Sequence, residues 1–128
     1  MFKYSLVAGL FLVACGGGGG DGGGADAAVD GAASSVMVVD PCPGTPDATV
    51  MTDDSTFSYS PGATTITQGQ VVKFLTSATH DVKPNTAVNT DTGLNVGFNQ
   101  TKCLRFTATG TFGFRCSFHG FVGTVTVN

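Results

Sequence analysis

The chain has 128 residues, a formal charge of −3, four cysteines and no tryptophan, and all nine of its acids are aspartates. That length supports a single domain of ordinary size. With 12% charged residues and no basic run, it lacks the footprint of a nucleic-acid binder and cannot strongly steer a charged partner.

Met1 to Ala14 reads as an export signal. Lys3 supplies the positive start, and Ser5 to Val13 is an apolar stretch too short to cross a bilayer as a lone helix. It ends in Leu12-Val13-Ala14-Cys15, which resembles the lipobox of bacterial lipoproteins. The resemblance implies lipidation of Cys15 after cleavage, and Gly16 in the next position favours an outer-membrane address. An ordinary signal peptide cut before a structural cysteine stands as the alternative. Residues 15–39 are mostly Gly, Ala, Asp and Ser, which cannot bury enough apolar surface to offset their ordering entropy. A flexible tether is expected there, spanning about 25–30 Å root-mean-square. Val36 to Val39 is at most a weak edge strand.

The folded domain is expected over 40–128. Thr56 to Tyr59 alternates and is stopped by Pro61-Gly62, and Thr64 to Thr67 meets a Gln68-Gly69 turn. Asp53 and Asp54 read as a solvated turn. Gln70 to Leu75 is a strand rich in Val and Phe, and Leu94 to Phe98 alternates apolar with polar or small residues. Lys102 to Thr107 and Thr111 to Cys116 flank Ala108-Thr109-Gly110 and read as a hairpin, and Gly123 to Val127 is a last alternating strand. No stretch keeps a helical period. About seven or eight short strands predict an all-β Greek-key sandwich. Alternation puts Leu104 and Phe106 on one face, opposite Cys103, and Phe112, Phe114 and Cys116 together on a core face.

The chemistry gathers at the end of the chain. In Phe114-Arg115-Cys116-Ser117-Phe118-His119-Gly120-Phe121-Val122, a strand delivers a thiol and a short loop returns an imidazole. The chain's other histidine, His80, stands upstream in Thr79-His80-Asp81-Val82. One thiolate and two imidazoles are the donor set of mononuclear electron-transfer copper sites. A zinc site of His80, Cys103, Cys116 and His119 is the metal rival, opposed by the opposite facing of the two cysteines. Phe118 and Phe121 read either as caps on the core or as an apolar rim around His119. No nucleophile elbow occurs, and without Glu there is no obvious general base beside a catalytic metal, so no enzyme is expected.

The Cys-x-x-His pattern, the aromatic strand before it and the Gly-x-Val-x-Val strand after it resemble the cupredoxins, type 1 copper proteins of the plastocyanin, pseudoazurin and amicyanin kind. The motif match covers roughly 70–128. The resemblance implies one copper ion held by His80, Cys116 and His119, with Asp81 locking the cysteine loop by hydrogen bonding. Where those proteins place an axial Met, this chain has Val122, or Thr124 in a longer alignment, and the carbonyl of Thr79 is left as a distant axial oxygen. A site without the thioether should favour Cu(I) and raise the potential. With Cys15 given to lipid and Cys116 to metal, Cys42 and Cys103 remain, and in an oxidising compartment a disulfide is their economical pairing. Three functions follow: an electron carrier for extracytoplasmic redox proteins, a copper storage or delivery module, and a metal-free structural domain. A monomer is expected, touching membrane only through its lipid, with no nucleic acid.

Overall fold

The computed structural model describes residues 34–128. The expected export signal, the lipid attachment at Cys15 and the tether as far as residue 33 lie outside the described residues. Among the described residues, nine strands make up two sheets: β1 (Val36–Val39), β2 (Ala48–Asp53), β3 (Ser58–Ser60), β4 (Ala63–Ile66), β5 (Val71–Leu75), β6 (Lys83–Pro84), β7 (Thr101–Phe106), β8 (Gly110–Arg115) and β9 (Val122–Val127). The four-stranded sheet runs β4-β9-β8-β6 and the five-stranded sheet runs β1-β7-β5-β2-β3. Among the described residues there is no helix.

Period-2 alternation builds the core. In β4 Thr64 and Ile66 are buried between exposed neighbours, and in β9 Val125 and Val127 point inward. Phe74 and Leu104 from one sheet meet Phe114 and Val125 from the other in a single cluster. Phe74 packs edge-on against Phe114 at 5.4 Å, and Phe106 against Phe112 at 5.3 Å. Each such fully buried side chain contributes roughly 1.5–3 kcal/mol. Gly123 pairs with Phe114 across the β8–β9 ladder, and a Cβ there would sit 2.6 Å from the Phe114 ring. The strand leading to the cysteine loop can therefore lay its largest side chain flat against its neighbour.

The strands depart from the sequence reading in three places. Residues 101–115 do not form a hairpin. β7 pairs with β1 and β5, whereas β8 pairs with β9 and β6, so the chain crosses between sheets at Thr107–Thr109. Leu104 and Phe106 of β7 instead meet Phe112 and Phe114 of β8 across the core, from opposite sheets. Leu94 to Phe98 is a loop with one bridge, Val82 to Val96; its alternation serves only to tuck Leu94 and Val96 into the core. Val36–Val39 takes the edge position weakly offered for it: β1 runs antiparallel to β7 at the edge of the five-stranded sheet, with Val36 buried. The compact unit that holds it begins at Ser34, ahead of the boundary expected near Asp40. Finally, β2 was not expected, because only Val50 of its six residues is buried. Its place is set by parallel pairing with β5 and antiparallel pairing with β3.

Candidate metal centre

Cys116 follows the last residue of β8 and opens a tight loop that returns the chain to β9. The Cys116 N–H donates to the carbonyl of Phe121 at 3.0 Å, and the Gly120 N–H donates to the carbonyl of Cys116 at 3.0 Å. Gly120 has φ of +76°, the left-handed conformation that lets the backbone reverse directly after His119. His80 sits on the connection between β5 and β6. Two backbone hydrogen bonds between Val82 and Val96, of 2.8 and 2.9 Å, anchor that connection.

These two loops bring all three expected donors together. Cys116 Sγ lies 3.7 Å from His80 Nδ1 and 3.7 Å from His119 Nδ1, and the three donor atoms are all within 4.8 Å of one another. Thiolate and imidazole bonds of about 2.3 and 2.0–2.1 Å, set at 120°, would put sulfur and nitrogen about 3.7–3.8 Å apart. Both sulfur–nitrogen separations therefore match those of a trigonal ion. Cys116 and His80 are fully buried, while His119 is exposed. Cys116 is a free thiol. The four-ligand zinc arrangement is ruled out, because Cys103 forms a disulfide with Cys42. Cys103 does point away from Leu104's face, as alternation requires, yet it is 1% exposed. A disulfide partner gives an outward cysteine its own cover.

Asp81 ties the two loops. It is buried, and its carboxylate accepts from the Ser117 N–H at 2.8 Å and from the Ser117 hydroxyl at 2.8 Å. The Asp81 carbonyl accepts from the Tyr59 hydroxyl at 2.6 Å. Burial first, and then the neighbouring Cys116 and Asp81, push the Tyr59 phenol well above its ordinary value, so it remains a donor at all working pH. Asp81→Ala would strand the Ser117 N–H and is expected to cost about 1–3 kcal/mol. Asp81→Asn, which keeps an acceptor oxygen, should recover part of this. Urea unfolding midpoints check both, and an unchanged midpoint in Asp81→Ala would remove Asp81 from this role.

Two residues at the site were not legible in the sequence. Phe57 stacks on His119 (centroids 5.0 Å, 16° between planes) and meets His80 edge-on at 5.6 Å. It does so from a left-handed backbone conformation, φ +52°. The turn before it is capped by Asp53, whose Oδ1 accepts from the Ser55 hydroxyl, the Ser55 N–H and the Thr56 N–H. Those bonds hold the Asp53 carboxyl below its ordinary value. Asp54 lies in the exposed turn expected for it, and from there its carboxylate reaches the site. Its Oδ1 is 3.2 Å from His80 Nε2, while the Ser77 hydroxyl donates to the same oxygen at 2.6 Å. Thr79 contributes its hydroxyl, 3.4 Å from that oxygen. Asp54, Phe57, Thr79, Phe118 and His119 line a cleft of about 460 Å³ beside the donors.

Of the remaining expected residues, Phe121 packs against Tyr59 at 4.8 Å and against His80 at 4.9 Å, so it caps the core. Phe118 is 76% exposed and belongs to the rim. Val122 is exposed at the start of β9, and the methionines of the described residues, Met37 and Met51, are exposed on β1 and β2.

No family model and no curated protein matches the chain. Solved structures do match. Amicyanin from Paracoccus versutus (Thiobacillus versutus) superposes with a TM-score of 0.59 at 17% identity, over 75% of this chain and 100% of that one. A reduced Cu(I) form of an amicyanin mutant gives 0.58 at 18% identity, over 73% and 99%. Pseudoazurin from Hyphomicrobium denitrificans gives 0.53 at 23% identity, over 63% and 74%. Likeness at such identities speaks for architecture, since function resides in the site. The two-sheet, all-β sandwich over residues 34–128 has the cupredoxin fold, that of amicyanin and pseudoazurin.

Proposed function

We propose that this protein binds one copper ion through His80 Nδ1, Cys116 Sγ and His119 Nδ1 and carries single electrons outside the cytoplasm. One observation carries the reading: a buried free thiol stands 3.7 Å from each of two imidazole nitrogens at the end of a cupredoxin-fold sandwich. Bound there, copper supplies a one-electron couple. The protein's part is to hold the donors still. Asp81 pins Ser117 next to the thiolate, and the Gly120 turn pins His119, so the donor set need not rearrange between oxidation states.

His119 reaches solvent, which makes its ring edge the natural exit for an electron. Phe57, Phe98 and Phe118 are 56%, 38% and 76% exposed, and Phe118 packs against Phe98 and lies beside His119. That rim suits an apolar docking patch for a redox protein. The disulfide supports an oxidising compartment, and the lipobox-like run ending at Cys15 supports a lipoprotein tethered to a bacterial outer membrane. With Val122 after the loop in place of a thioether, the potential should lie above that of Met-ligated sites.

Titrating the full-length protein with Cu(II) tests the reading. Binding at one equivalent with an intense visible band is expected, together with a reversible one-electron wave. Stoichiometric binding without that band would favour storage or delivery, and no binding would leave a structural domain.

A further inference from the structure

Building on the copper reading, we infer that Asp54 is a positioning residue whose carboxylate accepts a hydrogen bond from the His80 Nε2–H, which keeps the proton there and aims the Nδ1 lone pair at the metal. The His80 ring is fully buried, with Nδ1 facing Cys116 Sγ. For Nδ1 to act as a ligand, the ring proton must sit on Nε2. Nε2 is buried and lacks an aligned hydrogen-bond partner, and Asp54 Oδ1 stands 3.2 Å away. The two atoms are within hydrogen-bonding distance, and only their alignment falls short.

The carboxylate is prepared for the role. Its Oδ1 already accepts from the Ser77 hydroxyl at 2.6 Å, which fixes the side chain although 58% of it is exposed. The Ser77 N–H in turn donates to the Thr52 hydroxyl at 3.0 Å, which joins the histidine loop to the end of β2. A carboxylate behind a metal-bound imidazole makes the imidazole a stronger donor. The stronger donor stabilises Cu(II) more than Cu(I), because the dication draws more from it. Asp54 therefore lowers the potential and opposes the rise expected from the missing thioether.

Asp54→Ala and Asp54→Asn test this in the full-length protein, with Asp40→Asn as a control that removes an exposed charge elsewhere. Three quantities are read: Cu(II) affinity, Cu(I) affinity, and the ¹⁵N shifts of the His80 ring in protein without metal. Asp54→Ala is expected to weaken Cu(II) binding about 10–100-fold and Cu(I) binding less. Each tenfold difference between the two raises the potential by about 59 mV. The wild-type ring should carry its proton on Nε2, and Asp54→Ala should lose that bias. Asp54→Asn, nearly isosteric and still an acceptor, should fall between and keeps the test alive if Asp54→Ala does not fold. Asp40→Asn should match wild type. Equal weakening of both copper states, or a wild-type His80 tautomer in Asp54→Ala, overturns the role. If wild type binds no copper, the copper reading fails, while the tautomer measurement still judges Asp54.

Discussion

Cys116→Ala is expected to abolish the intense visible band and to weaken Cu(II) binding by more than about 100-fold, since losing a ligand exceeds the cost of losing a ligand's supporting partner. The sulfur is the only soft donor in the cluster, and the two imidazoles alone leave an ion two-coordinate in the plane. The fold should survive. Cys116 is fully buried, but alanine removes only one heavy atom beside Phe-rich packing, costing about 1 kcal/mol by comparison with other small core truncations. Absorption titration and urea unfolding of the same variant separate the two effects. Retention of the band in Cys116→Ala would remove the thiolate, and with it the trigonal site, from the account.

Replacing Cys42 and Cys103 together by alanine is expected to lower stability by about 4 kcal/mol in the chain-entropy description. The two cysteines are 61 residues apart in sequence, so the unfolded chain regains a large loop. The bridge also covers the outward side of β7 at Cys103, next to Leu104 on the inward side. Midpoints of urea unfolding for wild type and the double variant measure the difference. While the variant remains folded, its copper stoichiometry should be unchanged, because neither cysteine belongs to the donor cluster. An unaltered midpoint would mean that the unfolded chain is already restrained without the bridge.

Much of the domain could be read locally. Alternation located β4, β5, β7, β8 and β9 to within a residue or two, and it placed Leu104, Phe106, Phe112, Phe114 and Cys116 on inward faces. The disulfide followed from counting cysteines. The donor set could be named because the chain has only two histidines, and one of them stands three residues past a cysteine that ends an aromatic strand. Such features depend on side-chain type and on spacing within one strand or loop.

Pairing partners were another matter. The β7–β8 segment looks the same whether it folds as a hairpin or crosses between sheets, because alternation fixes which side chains share a face and says nothing of which strand lies alongside. β2 has too few apolar residues to announce itself and exists through its neighbours β5 and β3. Phe57 and Asp54 reach the donors only because the β2–β3 turn is carried over the histidine loop by contacts distant in sequence, such as Ser77 to Thr52 and to Asp54. By itself, then, the sequence determined an all-β domain with a disulfide and a Cys-x-x-His loop. Only the tertiary structure decided how the sheets divide the strands and which carboxylate stands behind His80. Burial pattern is written residue by residue, whereas approach between segments depends on the whole packed chain.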